Sequence, residues 1–396
     1  MDLGILALIC AAALLGPALS LLSRGALPAV VGQLLAGVVL GRTLLDVVQP
    51  ADPALSLLYD VGFATLMFTV GMHVPLHDAR LRGALGLGAR AALAALPLSL
   101  AAGLVCHAVG SGPALVYAVV IASSSAAVAL PVIQERRLDG PGVLAALAWI
   151  TIADVGATIA IPLALTPARA LHAAGGALIV AACVAALVAV AFGVRHAPLV
   201  HRIRGEGKKR GWALDLRVAV IALLGLSYIA VQVGASLLVA GFGVGLVVAA
   251  IGGPKRLSQE ILGLGQGFFI PVFFVLLGAR LDLRALIHSA QAVELAILLA
   301  GLTVVVHVVA ARVIRARAAI GLLASAQMGV PAAVIALGLP SHAIDQGQAS
   351  AIFCAALISI GACAAGAAIL RGEPRPGEER PPREDPQAGA TLHPTP

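Results

Sequence analysis

The residue with the most to explain is Asp154, the one acid in the stretch AWITIADVGATIAIPLAL, residues 148–165. An ionised aspartate at the centre of an apolar helix costs about 2.5–3.5 kcal/mol on insertion scales. Serine or threonine would supply structural hydrogen bonds at lower cost, so a chemical role is expected beside the plainer reading of a buried hydrogen-bonding acid. On a helix, Thr151, Asp154 and Thr158 fall at i, i+3 and i+7 and form one narrow polar stripe. A bare carboxylate is disfavoured in a low-dielectric surrounding, so it is held there by taking up a proton or a cation, and hardly both together. If helices move only when that charge is neutralised, each crossing carries one or the other. That competition is ion–proton exchange.

A few other side chains could join such chemistry. Ser123, Ser124 and Ser125 open the stretch SSSAAVALPVI, and Ser325, Gln327 and Gly329 lie in ASAQMGVPAAVI. His307 stands deep in GLTVVVHVVAARVI and, taken alone, reads as a satisfied core residue. Asp60, in LYDVGFATLMF, lies near the outer end of an apolar run and could line an access path, whereas Glu294 reads as an acid tolerated at the interface. Cys10, Cys106, Cys183, Cys354 and Cys363 are isolated, form no C-x-x-C pair, and read as small core hydrophobes rather than metal or disulfide ligands. No cofactor and no metal beyond a transported monovalent cation is expected.

The elements that position these groups follow from composition. The chain is 60% hydrophobic and 11% charged, against about 25% charged in soluble domains. Its mean hydropathy is +1.01. Apolar runs recur at roughly the 20-residue length that crosses a bilayer as a helix. The fold class is therefore an all-α polytopic membrane protein. There are about thirteen spans, by run length, centred near residues 12, 34, 64, 97, 122, 154, 182, 222, 243, 270, 299, 327 and 358. The first run lacks a basic n-region and is followed by Arg24, so it is kept as a span rather than a cleaved signal.

The net charge of +7 does not point to a nucleic acid, because the basic residues fall in short loops between apolar runs. Of the 26 Lys and Arg residues, only Arg42, Arg169, Arg280 and Arg284 fall in one set of alternating loops. The rest cluster on the opposite side, in segments such as ERR (135–137), PKR (254–256), ARVIRARA and the long loop around 195–217. The positive-inside rule then puts the amino terminus outside and the carboxyl terminus in the cytoplasm, as for a bacterial-type plasma (inner) membrane protein. Residues 372–396, rich in Pro, Gly and charge, are expected to form a disordered cytoplasmic tail.

The two halves also resemble each other. VVGQLLAGVVLG (30–41) matches LLVAGFGVGLVV (237–248), LMFTVGMHVPL (66–76) matches VFFVLLGARLDL (272–283), and SSSAAVALPVI matches ASAQMGVPAAVI, in the same order. The second, third and fifth spans thus pair with the ninth, tenth and twelfth. An odd offset makes this an inverted repeat, as in secondary transporters whose sites lie where broken helices meet. The fifth and twelfth spans, each with small or polar residues followed by Pro131 or Pro331, are the expected broken pair. The alternative is two merely kinked helices. GFGVG (241–245) resembles part of a nucleotide loop but lies inside an apolar span with no preceding strand, so it reads as helix packing.

These segments resemble the monovalent cation:proton antiporter-2 family, the Kef-like branch of the sodium/hydrogen exchanger superfamily, over roughly residues 5–370. The resemblance rests on LPAVVGQLLAGVVLG, LYDVGFATLMFTVGMHVPL, ASSSAAVALPVIQERR and, most specifically, PVFFVLLGARLDL. It implies a transmembrane domain over 1–371, built as a dimerisation bundle and a core with two crossed discontinuous helices, and a homodimer in the lipid bilayer. It makes Asp154 the ion- and proton-binding aspartate, with Thr151, Thr158, Ser124, Ser125 and Gln327 about it. It also places His307 where relatives carry a basic charge partner. An unperturbed histidine titrates near about pH 6.5, so His307 could switch activity near neutrality.

The departures matter as well. Ala153 stands where relatives carry Asp, Asn or Gln, which implies electroneutral one-for-one exchange and removes a cation ligand. GMHVP, with His73, replaces an acidic segment; AQMGVP replaces the pattern of potassium-efflux systems; and their nucleotide-binding domain is not expected here. The transported ion stays open among Na⁺, K⁺ and Li⁺. The main rival is a transport-inactive sensor or scaffold on the same fold, which Ala153 and GMHVP permit. An intramembrane hydrolase using Ser124 or Ser125 with His307 and Asp154 has no nucleophile elbow to support it, and a passive channel suits a lone titratable acid less well than coupling does. The protein is not expected to be an enzyme.

Overall fold

Backbone in hydrocarbon can be satisfied within one segment only as a helix, and the computed structural model has no strand among the residues it describes. These are residues 2–23, 29–72, 79–165, 170–194, 197–210, 212–233, 235, 237–251 and 263–371. Arg24, His73, PKR (254–256) and the tail 372–396 lie outside them.

The chain begins with α1 (Leu3–Ala13), α2 (Leu15–Leu22), α3 (Ala29–Leu40), α4 (Pro53–Met72) and α5 (Ala79–Gly110). Next come α6 (Ala114–Ala122), α7 (Ala126–Glu135), α8 (Pro141–Leu165), α9 (Ala170–Val194) and α10 (Pro198–Lys209). Then follow α11 (Leu214–Gln232), α12 (Leu237–Ala250), a π-helical turn Gly265–Phe269 leading into α13 (Ile270–Arg280), and the short α14 (Leu283–Ile287). The last are α15 (Ala290–Val313), α16 (Ala318–Ala324), α17 (Gly329–Gly338) and α18 (Gln346–Arg371). Among the described residues, nine helical stretches are long and apolar enough to cross a membrane, and α3, α12 and the Gly265–Arg280 segment are shorter apolar helices.

Two helices are broken. The fifth apolar run stops at Ala122, passes through Ser123–Ser125, and resumes at Ala126. The twelfth stops at Ala324 and resumes at Gly329. A local hydrogen bond accompanies each stop: Ser123 Oγ donates to the Val120 carbonyl at 2.7 Å and Ser325 Oγ to that of Leu322 at 2.8 Å. Hydroxyls that bind the preceding turn compete with helix continuation. The prolines lie past the breaks, not in them. Pro331 occupies the first turn of α17, where a missing N–H is harmless, and Pro131 lies within α7.

The packing follows the pairing of the two halves. α3 packs on α13 while α4 packs on α12, so the second run meets the tenth and the third meets the ninth. Likewise α5 packs on α6 and α8, as α15 packs on α16 and α18. Glycines set how closely these helices approach. A Cβ on Gly278 of α13 would run into the Leu34 carbonyl of α3, and one on Gly245 of α12 into the Phe68 carbonyl of α4. Close backbone approach through small residues is how helices gain contact where lipid supplies no hydrophobic drive. The residues around both breaks belong to the larger buried core, with Ile121, Trp149, Leu323 and Ala324 all within it.

Gly278→Ala should therefore destabilise the protein by about 1–3 kcal/mol through overpacking. Gly361→Ala, on the exposed face of α18 with nothing near its Cβ position, should be neutral or stabilise by up to about 1 kcal/mol from helix propensity alone. Unfolding of both variants in the same detergent checks the opposite signs.

Candidate functional site at the two helix breaks

Asp154 lies near the middle of α8 and is 6% exposed. Among the described residues its carboxylate has one hydrogen bond, from the backbone N–H of Ala126 at 3.4 Å. Ala126 is the first residue of α7, so the carboxylate faces the end of the half-helix that carries unpaired N–H groups and the positive end of its dipole. No side-chain cation pairs with Asp154 among the described residues. The polar stripe lies as its spacing requires, but its hydroxyls are turned to the backbone. Thr151 Oγ1 donates to the Leu147 carbonyl and Thr158 Oγ1 to that of Asp154 itself, each at 2.8 Å. Thr158 is buried and Thr151 half-buried. Each oxygen keeps its lone pairs free to accept a proton donor or meet a cation.

Gln327 sits in the second break and reaches into the first. Its side-chain nitrogen donates to the Val120 carbonyl at 2.6 Å and lies 3.5 and 3.4 Å from the carbonyls of Ile121 and Ser123. Thr303 Oγ1 of α15 is 3.4 Å from the same nitrogen. Carbonyls cannot donate, so this crowd of acceptors fixes which end of the carboxamide is NH₂. The amide thus covers the carbonyl end of α6, which the break leaves without helical partners. Among the described residues its Oε1 is buried with no hydrogen-bond partner. The Gln327 backbone N–H donates to Ser359 Oγ of α18 at 3.0 Å, and that hydroxyl donates to the Ala356 carbonyl at 2.7 Å.

His307, fully buried on α15, joins the same cluster from the other side. Its Nδ1 is 2.9 Å from the Thr303 carbonyl, which can only accept, so Nδ1 carries a hydrogen. Its Nε2 is 3.3 Å from Ser124 Oγ, and that hydroxyl is 2.6 Å from the Ala324 carbonyl at the end of α16. One serine therefore bridges the first break, the second break and His307. Trp149 of α8 stacks on the imidazole, with ring centroids 5.1 Å apart and 20° between planes.

The structure brings Ser124, His307 and Gln327 together, and Asp154 meets the same break through Ala126. Ser125 is buried in that break. Asp60 is not part of the cluster. It is exposed on α4, next to Tyr59, whose ring carries the Arg280 guanidinium 3.7 Å from its centroid. Glu294 is exposed on α15. The cysteines are unpaired, and no group of three or more His, Cys, Asp or Glu among the described residues could hold a metal ion. A hydrolytic triad is not formed, because His307 Nδ1 faces a backbone carbonyl and not Asp154. Trp149, Thr303, Ser359 and the Ala126 N–H were not foreseen. Thr303 precedes His307 by one helical turn and could have been found by spacing; the others carry no sequence signal.

The description "Sodium/hydrogen exchanger, transmembrane" belongs to the family model that matches residues 10–368. The putative Na(+)/H(+) antiporter YjbQ of Bacillus subtilis (strain 168) is 22% identical over 356 residues, 84% of this chain and 57% of that protein. The Na(+)/H(+) antiporter of Enterococcus hirae is 25% identical over 71% of this chain and 73% of its own length. The glutathione-regulated potassium-efflux system protein KefC of Klebsiella pneumoniae subsp. pneumoniae is 27% identical over 74% of this chain and 46% of its own. The chain thus spans little more than half the length of the first of these relatives. In fold it is similar to the sodium proton antiporter MjNhaP1 from Methanocaldococcus jannaschii, with a TM-score of 0.62, 15% identity, and coverage of 94% of this chain and 99% of that one. With nearly its whole length, both breaks and Asp154 inside the matched region, the chain belongs to the sodium/hydrogen exchanger transmembrane family.

Proposed function

We propose that the protein exchanges a monovalent cation for a proton across the membrane, with both competing for Asp154. What carries this reading is the placement of that carboxylate: buried mid-helix, with no side-chain cation in contact with it among the described residues, at the N-terminal end of a half-helix. A charge so placed calls for a neutralising proton or cation, and the site accommodates one positive charge at a time. Ala153 supplies no second carboxylate, so one proton exchanges for one cation and no net charge moves. The relatives named as Na(+)/H(+) antiporters favour sodium, and the potassium-efflux relative keeps potassium open, with Li⁺ as a third candidate.

In this reading Thr151, Thr158, Ser124, Ser125 and Gln327 supply neutral oxygens around the carboxylate, with Gln327 Oε1 the acceptor that has no other partner. His307 is a charge partner at one remove, touching Ser124 and not Asp154: with Nδ1 committed to Thr303, a proton taken up on Nε2 would point to Ser124 and free that hydroxyl for Ala324. Asp60 serves an access path away from the cluster. Alternating access moves the broken, crossed helices as a unit within about thirteen spans, amino terminus outside and carboxyl terminus in the cytoplasm of a bacterial-type inner membrane. The working form is a homodimer.

Reconstituted into liposomes with a trapped pH dye, the protein should move protons in response to Na⁺, K⁺ or Li⁺ pulses, and Asp154→Asn should abolish the response while remaining folded. No cation-driven proton movement from folded wild type between pH 6 and 9 would sink the antiport reading and promote the sensor. Competition at one site also sets a sign. In the range where the proton wins, each pH unit downward raises the apparent KM for the cation about tenfold, because proton activity rises tenfold. A pH-independent KM would place the two ions at separate sites. Gln327→Leu should cost about 1–3 kcal/mol of stability, since the Ile121 and Ser123 carbonyls lose a buried donor while that of Val120 keeps only Ser123, and should also raise the apparent KM. A stability loss with an unchanged KM would reduce Gln327 to a brace.

A further inference from the structure

The segment between α9 and α11 is basic and amphipathic, and neither the core nor the site uses it. α10 reads PLVHRIRGEGKK and sets Arg202, Arg204, Lys208 and Lys209 against the single acid Glu206. Arg210 follows directly. Its apolar residues Leu199, Val200 and Ile203 recur at helical spacing, with the basic residues between and after them. Among the described residues the helix packs chiefly on the start of α11, with Gly207 against Leu214. Ile203 and Trp212 are large apolar side chains that stay 47% and 43% exposed.

Position decides what covers them. Both neighbours, α9 and α11, contain stretches long and apolar enough to cross the membrane. Three residues, 195–197, join α9 to α10, which places the start of α10 within about 15 Å of the end of α9 even if they are fully extended. Four residues join it to α11, and Trp212 N–H binds back to the Gly207 carbonyl at 2.9 Å, folding that link against the helix. α10 therefore cannot leave the membrane surface. Its exposed cations are only partly neutralised. Glu206 is shared between Lys209 at 3.3 Å and Arg210 at 3.4 Å, and those two side chains remain 77% and 62% exposed. The Arg210 guanidinium also sits 5.2 Å from the centroid of the Trp212 ring. A tryptophan at headgroup depth with cations beside it is the composition of an interfacial anchor.

We infer that α10 together with Arg210 and Trp212 is a docking surface for the anionic phospholipid headgroups of the leaflet it lies against. Ile203 and Trp212 enter the boundary between headgroups and acyl chains, and Arg202, Lys209 and Arg210 meet the phosphates. The inference rests on α9 and α11 being membrane helices and is independent of antiport. The attraction acts over a Debye length and is weakened by salt.

The chain has two tryptophans, so the signal of Trp212 is the difference between the wild type and the Trp212→Phe variant. The protein is placed in nanodiscs of brominated phosphatidylglycerol or brominated phosphatidylcholine with matched acyl chains. At low salt Trp212 should be quenched about twofold more in phosphatidylglycerol, an excess that collapses at about 1 M salt, where the Debye length is near 3 Å. The excess should also vanish in Arg202→Gln/Lys209→Gln/Arg210→Gln, whose changes are all on exposed side chains. Equal quenching by both lipids at every salt concentration would overturn charge recognition. No quenching by either would overturn the surface itself and assign α10 to a soluble partner.

Discussion

Everything near the site depends on one constraint: backbone that leaves the helix inside hydrocarbon must find its hydrogen bonds within the protein. The first break exposes N–H groups at the start of α7 and carbonyls at the end of α6. The protein answers with side chains from the other elements. Asp154 of α8 takes the N–H of Ala126, and Gln327, from the other break, donates to the carbonyls of α6. Ser124 links its own break to the end of α16. The two unwound stretches lie side by side and satisfy part of each other's backbone.

That mutual dependence explains why a carboxylate is tolerated at Asp154. Its negative charge complements the half-helix terminus, a favourable placement that a continuous α7 would not offer. The same arrangement stops short of full neutralisation, since the contact at 3.4 Å is long for a charge-assisted bond. A helix terminus carries only about half an elementary charge. The proposed exchange assigns the remainder to a mobile positive ion. Gln327 shows the same division, with its nitrogen spent on bracing and its oxygen unspent.

Around this centre the paired packing of α3 with α13 and α4 with α12, pinned by glycines, forms a frame distinct from the helices that carry the breaks. α9 and α10 lie outside that frame. α9 has few buried residues in its apolar window, and among the described residues α10 packs mainly on α11.

The sequence by itself determined the helical membrane class, the apolar runs, the positions of both breaks and the buried, mid-helix place of Asp154. These follow from hydropathy, run length and the cost of a charge in apolar sequence, all of which are local. Thr151 and Thr158 were legible as a stripe because helical spacing is local as well. Only the tertiary structure decided that Ser124 meets His307, residues 183 positions apart, and that Gln327 reaches the end of α6 across more than 200 positions. It alone decided that Trp149 stacks on His307 and that Asp60 lies outside the cluster. Such contacts depend on how helices cross and rotate, and the apolar faces that set rotation are nearly uniform in a chain whose helices are hydrophobic all round. Where composition and spacing distinguish a residue from its neighbours, the sequence was sufficient; where a role depends on which side chain arrives from another helix, it was not.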